Sequence, residues 1–252
     1  MRTADTNVLS PTVRDAASPY PGESATADVE KVEVETELRQ VRSQLNGFVE
    51  AVRAAFSAAD GVSNVLARAT EISEVAEPLL EVLCESLEFD VATFWRFDLA
   101  DGKLYPVAHH QSPCCGGQHL GEVIGSLRMA LNESAAGRVF VERRAFTGSD
   151  AVAVAHPKVA PILEGSGLRT ICAFPIIGSN APLGVIELER RQPLGHDHTI
   201  EPAVRMIGER IAAFIEYGEL RGRYLALAAR QESTAERHTE EPGKVIRLRR
   251  AA

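Results

Sequence analysis

His109-His110-Gln111-Ser112-Pro113-Cys114-Cys115-Gly116-Gly117 is the stretch richest in reactive side chains, with two imidazoles beside two thiols. Soft ligands in this proximity suit zinc, iron or copper, and paired thiols respond to oxidants or thiophilic metals. Adjacent cysteines chelate a single ion poorly, and no Cys-x-x-Cys spacing supports a structural zinc site, so no metal is expected. The competing reading is a polar surface loop that carries two thiols. Two further cysteines, Cys84 among leucines and Cys172 between Ile171 and Ala173, read as small buried hydrophobes. Glu187 and Glu189 alternate with Ile186 and Leu188. The alternation puts both carboxylates on the sheet face opposite the apolar pair, to receive a cationic or hydrogen-bonding ligand or to face solvent. Their proximity to an exposed edge argues against raised pKa values or an acid–base pair. Trp95, the sole tryptophan, shares a strand face with Val91, Thr93 and Phe97. No Ser-His-Asp order, Gly-rich phosphate cradle or metalloprotease motif is present, so no catalytic residue is assigned and the chain reads as a non-enzyme.

The elements that must hold these residues follow from periodicity. Residues 1–29, with Pro11, Pro19 and Pro21 among Ser, Thr, Ala and Asp, bury too little apolar surface to order. Val34, Leu38, Val41, Leu45, Phe48, Val52, Ala55 and Ala59 alternate spacings of four and three, the seam of a coiled coil over residues 30–59. Gly61 punctuates this helix. A second helical stretch follows, with a fresh start just before Pro78 and Ser73 as its cap, and Glu74 and Glu77 at the positive end of the dipole. The period then switches to two. Strands are expected over Phe89–Phe97 and Leu104–His109, joined by a turn at residues 98–102. Residues 111–131 read as loop. Ser134 opens a helix over Ala135–Glu142 that ends at Arg143-Arg144, and a loop through Asp150 leads to a short helix at Pro157–Leu163. Strands at Arg169–Ile177 and Leu183–Glu189 precede a long helix from His198 to Tyr224 or beyond, and residues 231–252 read as loose. Hairpin-joined strands with helices clustered at both ends define an α+β fold with an antiparallel sheet.

Four segments resemble the GAF family of small-molecule sensor domains. They are 79–98 (LLEVLCESLEFDVATFWRFD), 133–146 (ESAAGRVFVERRAF), 167–177 (GLRTICAFPII) and 182–188 (PLGVIEL). The Trp-Arg-Phe-Asp end of the first is similar to a run in phytochrome GAF domains. Pro175 and Gly184 stand where the family usually has Pro and Gly. The resemblance spans about residues 62–217 and implies about six antiparallel strands, helices on one face and loops over a pocket on the other. It places the GAF domain at 60–217, followed by the end of the last helix and a basic tail at 218–252. Expected pocket residues are Trp95, His109, Cys114, Cys115, Asp150, Ala173 and Glu187, with a ligand or cofactor of unknown identity. The cyclic-nucleotide signature, a bilin-attachment pattern and a recognisable output domain are absent from the sequence.

The resulting expectation is a sensor that binds a small molecule or responds to redox state. It signals to an unidentified partner through a homodimer formed by the helices at Val34–Ala59 and Ile200–Tyr224. The alternatives are a dimerisation scaffold with a collapsed pocket and a thiol-dependent reductase of the free-methionine sulfoxide type. A formal net charge of −8 disfavours nucleic acid despite the basic residues at 244–250. With no secretory h-region or membrane-length apolar run, the expected location is the cytoplasm, off the membrane.

Overall fold

The computed structural model describes residues 22–113, 115, 119–193 and 200–239, with side chains from residue 31 to 231. The chain divides into two units, of which the first ends at Asn46 and the second begins at Gly47. The described part of the first unit is a single helical stretch of α1 (Gly22–Leu66). Its Val34, Leu38, Val41 and Leu45 are all more than half exposed. The helix begins inside the stretch 1–29 that composition marks as unstructured, because Glu23–Glu30 contains no proline and several good helix formers.

The second unit is an antiparallel sheet of β1 (Val91–Asp98), β2 (Lys103–Gln111), β3 (Phe146–Gly148), β4 (Thr170–Ile177) and β5 (Pro182–Arg190), ordered β2-β1-β5-β4-β3. Beside β2, Leu104 and Met129 exchange backbone hydrogen bonds of 2.8 and 2.9 Å, a one-residue bridge where a sixth strand would lie. One sheet face packs on the end of α1, on α2 (Ile72–Leu87) and on α7 (Ile200–Thr239). Phe94, Phe174, Ile186 and Leu188 fill this layer from the sheet, and Leu80, Leu83, Ile207 and Ile211 fill it from the helices. The other face is covered by α3 (His119–Gly125), α4 (Ala135–Glu142), α5 (Ala151–Val154), α6 (Ala160–Ser166) and their connections.

Several boundaries differ from the sequence expectation. Gly61 does not break α1: a Cβ there would lie 2.5 Å from Val82 Cγ1, so glycine serves a close approach of α1 to α2. Pro78 lies inside α2, whose N-cap is Glu71 and not Ser73. Glu74 accepts from the Thr70 and Glu71 N–H groups at 3.0 and 3.3 Å, satisfying two donors at the helix start. The burial of Leu79, Leu80 and Leu83 just beyond Pro78 offsets the lost hydrogen bond, a cost of about 3 kcal/mol. The 111–131 stretch contains α3, and α7 runs on to Thr239, through part of the segment expected to be loose. α4 matches its expected bounds, with Ser134 Oγ accepting from Gly137 N and Arg143 closing the helix at φ 55°.

Gly184 is required in β5 because a Cβ there would lie 2.3 Å from the Trp95 carbonyl oxygen, a backbone atom of the neighbouring strand. Gly184→Ala therefore destabilises the domain by about 2 kcal/mol or more, measured as a lower urea midpoint. An unchanged midpoint would show that β1 and β5 separate freely at this point.

Candidate functional site

Strand register places one residue from every strand in a single row on the face covered by α3–α6. His109 of β2 is opposite Thr93 of β1, Thr93 opposite Glu187 of β5, Glu187 opposite Ala173 of β4, and Ala173 opposite Phe146 of β3. The next row is Gln111, Val91, Glu189, Ile171 and Gly148. Trp95 stands two residues along β1 from Thr93, and its indole Nε1 donates to Glu187 Oε2 at 2.9 Å. Cross-strand neighbours of this kind lie within side-chain reach. Cys115, Leu120, Ile124 and Val139 are among the apolar residues that cover these rows.

Both carboxylates are buried, Glu187 with 7% and Glu189 with 5% of its surface exposed. β5 is the central strand of the sheet, not an edge, which corrects the expectation that these side chains sit too near solvent for raised pKa values. Burial pushes both carboxyls up, and for Glu189 the neighbouring Glu187 pushes further, while the Trp95 hydrogen bond draws Glu187 part of the way back. Like charges this close in a dry layer do not both ionise readily, so the pair retains a proton. Glu189 Oε2 has no hydrogen-bond partner.

His109 Nδ1 lies 3.0 Å from Thr93 Oγ1, and its Nε2 is buried without a partner. Gly121 of α3 sits over this edge of the ring, where a Cβ would lie 3.3 Å from His109 Cδ2. Burial lowers the imidazole pKa to about 4, a Gln111 side-chain hydrogen bond draws it part of the way back, and His110 adds a smaller lowering, so the ring is neutral at pH 7. A depressed basic group stabilises the fold above its unfolded value, near 6.5, and that contribution is lost as pH falls toward 4. The His109→Gln variant should therefore lose less stability than the wild type between pH 6.5 and 4 in urea titrations. Parallel losses in the two proteins would mean that His109 titrates freely in the fold.

The structure thus gathers Trp95, His109, Ala173 and Glu187 on one face, with Cys115 in the layer above it. Cys114 lies outside the described residues. His109 and His110 point to opposite faces of β2, which breaks up the imidazole–thiol stretch of the sequence. Asp150 is not brought to the carboxylates: it is exposed and accepts from Ala153 N at 3.0 Å as the N-cap of α5. Cys84 and Cys172 are buried, and burial raises both thiols, Cys172 to about 12, so neither is an activated nucleophile. Sequence reasoning missed Thr93 and the deep burial of Glu189. Alternation placed Glu189 on the right face, but only strand order shows that the face is interior. A separate cleft of about 250 Å³ opens beside Phe146, lined also by Glu133, Ser134, Arg138 and Ala153. Arg138 there lies over the Phe146 ring and pairs with Glu142 at 3.0 Å.

An antiparallel sheet with long helices on one face and a layer of short helices over polar side chains on the other defines the domain as α+β. The family model described as GAF domain matches residues 69–241, and the chain belongs to that family of sensor and signalling domains. Solved structures agree. The GAF domain of a phosphoenolpyruvate-protein phosphotransferase from Coxiella burnetii is 18% identical, covers 69% of this chain and 98% of its own, and has a TM-score of 0.57. Free methionine-R-sulfoxide reductase from Neisseria meningitidis, in complex with its substrate, is 16% identical over 66% and 91%, with a TM-score of 0.52. The phycocyanobilin-bound GAF domain of a cyanobacterial phytochrome is 14% identical over 66% and 96%, also with a TM-score of 0.52. At these identities the likeness is one of fold. No curated protein sequence matches the chain. No described helix is long and apolar enough to cross a membrane.

Proposed function

We propose that this GAF domain is a sensor that binds a small organic molecule against the β1–β5 face and relays its presence through a homodimer to a signalling partner. The observation that carries the reading is the buried Glu187–Glu189 pair with its unpartnered oxygen. An orphaned buried acceptor costs about 1–3 kcal/mol, and such a cost persists in a fold most readily where a ligand relieves it. The solved relatives that hold a substrate and a bilin support ligand binding by this fold.

The relay rests on two exposed stripes. Along α1, Val34, Leu38, Val41, Leu45 and Phe48 are spaced by four and three and are 53–63% exposed. Along α7, Tyr217, Leu220, Tyr224 and Leu227 repeat by three, four and three and are 58–69% exposed. Stripes of this spacing bury themselves by pairing with another helix. A ligand that prefers one of two helix arrangements shifts the dimer toward it. The apolar packing of the covering layer favours a second reading, a scaffold whose pocket is closed. A reductase reading gains less support, because Cys115 is itself buried in that layer.

Trp95 provides the test, since its indole contacts Glu187. Small molecules below about 1 kDa from the host should change Trp95 fluorescence saturably in the wild type and not in the E187Q/E189Q variant. No change in either protein would favour the scaffold.

A further inference from the structure

We infer that the ligand of this face is an organic cation, an amine, amidine or guanidine, held between Glu187 and Glu189. This inference rests on the sensor reading above and adds the ligand's chemical class. Among the described residues the buried polar and charged side chains are Thr93, Thr170, Glu187 and Glu189, with no basic group. The nearby arginines face away from this row or pair with carboxylates, although the buried Nε of Arg190 has no partner. Arg190 lies on the opposite sheet face, over Phe89, and donates to the Pro193 carbonyl. Arg138 pairs with Glu142, Arg128 with Asp98, and Arg191 with Asp90. A phosphate or carboxylate ligand would therefore meet two buried carboxyls and no countercharge, an arrangement that opposes binding.

A cation meets the reverse situation. Glu187 and Glu189 project from alternate positions of one strand, about 7 Å apart along it, within the span of a planar nitrogen fork and its substituent. Glu189 Oε2 is unpartnered in a side chain 95% buried, since only 5% of the residue is exposed. A second unpartnered atom, His109 Nε2, comes from a different strand in the adjacent row. When Nδ1 donates to Thr93 Oγ1, that Nε2 is an acceptor for an N–H group. Ala173 stands opposite Glu187, and the Trp95 indole already contacts that carboxyl.

The test uses three probes of one shape and different charge, benzamidine, benzamide and benzoate, with the 252-residue chain. Trp95, as the sole tryptophan, gives one indole N–H signal in a ¹⁵N-labelled sample. The expected result is a saturable shift with benzamidine at least ten-fold tighter than with benzamide, and no shift with benzoate. In E187Q/E189Q the benzamidine affinity should fall at least ten-fold, with benzamide unaffected. Equal or tighter binding of benzamide or benzoate to the wild type would overturn the cation assignment and leave the pocket standing. No shift with any of the three would overturn the assignment together with the pocket.

Discussion

Glu189→Gln should stabilise the protein at pH 8 by on the order of 2 kcal/mol and change it little at pH 4.5. A carboxyl whose pKa is raised on folding binds more protons in the folded state than in the unfolded one. Its contribution is therefore intact below the ordinary glutamate value of 4.5 and is lost as pH rises above it, until the folded group also ionises. Glutamine carries no such slope. Glu187, raised by its own burial, keeps its Trp95 hydrogen bond in the variant. Urea titrations at pH 4.5, 6 and 8 read the difference between the two proteins directly. A difference that does not grow with pH would mean that Glu189 is solvated in the folded protein. The same substitution should weaken ligand binding, the exchange of stability for function expected where a site keeps an uncompensated buried group.

Leu38→Asp with Leu45→Asp should convert the proposed homodimer to monomer, raising its dissociation constant more than 100-fold. These side chains are 63% and 58% exposed in the protomer, so their replacement costs the isolated fold little. At a paired seam they would bury unpaired carboxylates against apolar neighbours, at several kcal/mol. Sedimentation equilibrium reads the association, and circular dichroism with Trp95 fluorescence shows that the domain is intact. A truncation at residue 60 would confuse the two effects, because Ala58 and Ala59 are buried in the core between helices and sheet. A double variant that remains dimeric would place the interface elsewhere, with the Tyr217–Leu227 stripe of α7 as the next surface to change.

The parts of the fold legible in the sequence were those whose local signals agree. The Ser134 cap, the apolar face of α4 and the stop at Arg143 all describe one helix, and its bounds follow. β4 and β5 were legible to about a residue from alternation alone. Gly61 and Pro78 misled because each was read as punctuation, whereas tertiary packing against Val82 and burial of the leucines after Pro78 decide those positions. β3 has three residues and α3 seven, too short for a period to stand out.

The site was legible as a face but not as an environment. Alternation set Glu187 and Glu189 opposite Ile186 and Leu188, and the structure keeps that division. Whether the carboxylates meet water depends on β5 lying between β1 and β4, which is a long-range pairing that no local pattern encodes. Thr93 and His109 meet across the β1–β2 hairpin, where the exact register, with its shift between Phe94 and Trp95, sets which residues face each other. Asp150 looked like a loop residue free to touch a ligand, but its carboxylate is taken up by the start of α5.

The most direct measurement is native mass spectrometry of the protein purified from its own host, set beside its denatured mass. The account predicts a dimer that carries a non-covalent organic adduct, lost on denaturation and absent from the E187Q/E189Q variant. A dimer without adduct in both proteins would contradict the sensor reading, and an adduct retained by the variant would move the binding site away from the Glu187–Glu189 pair.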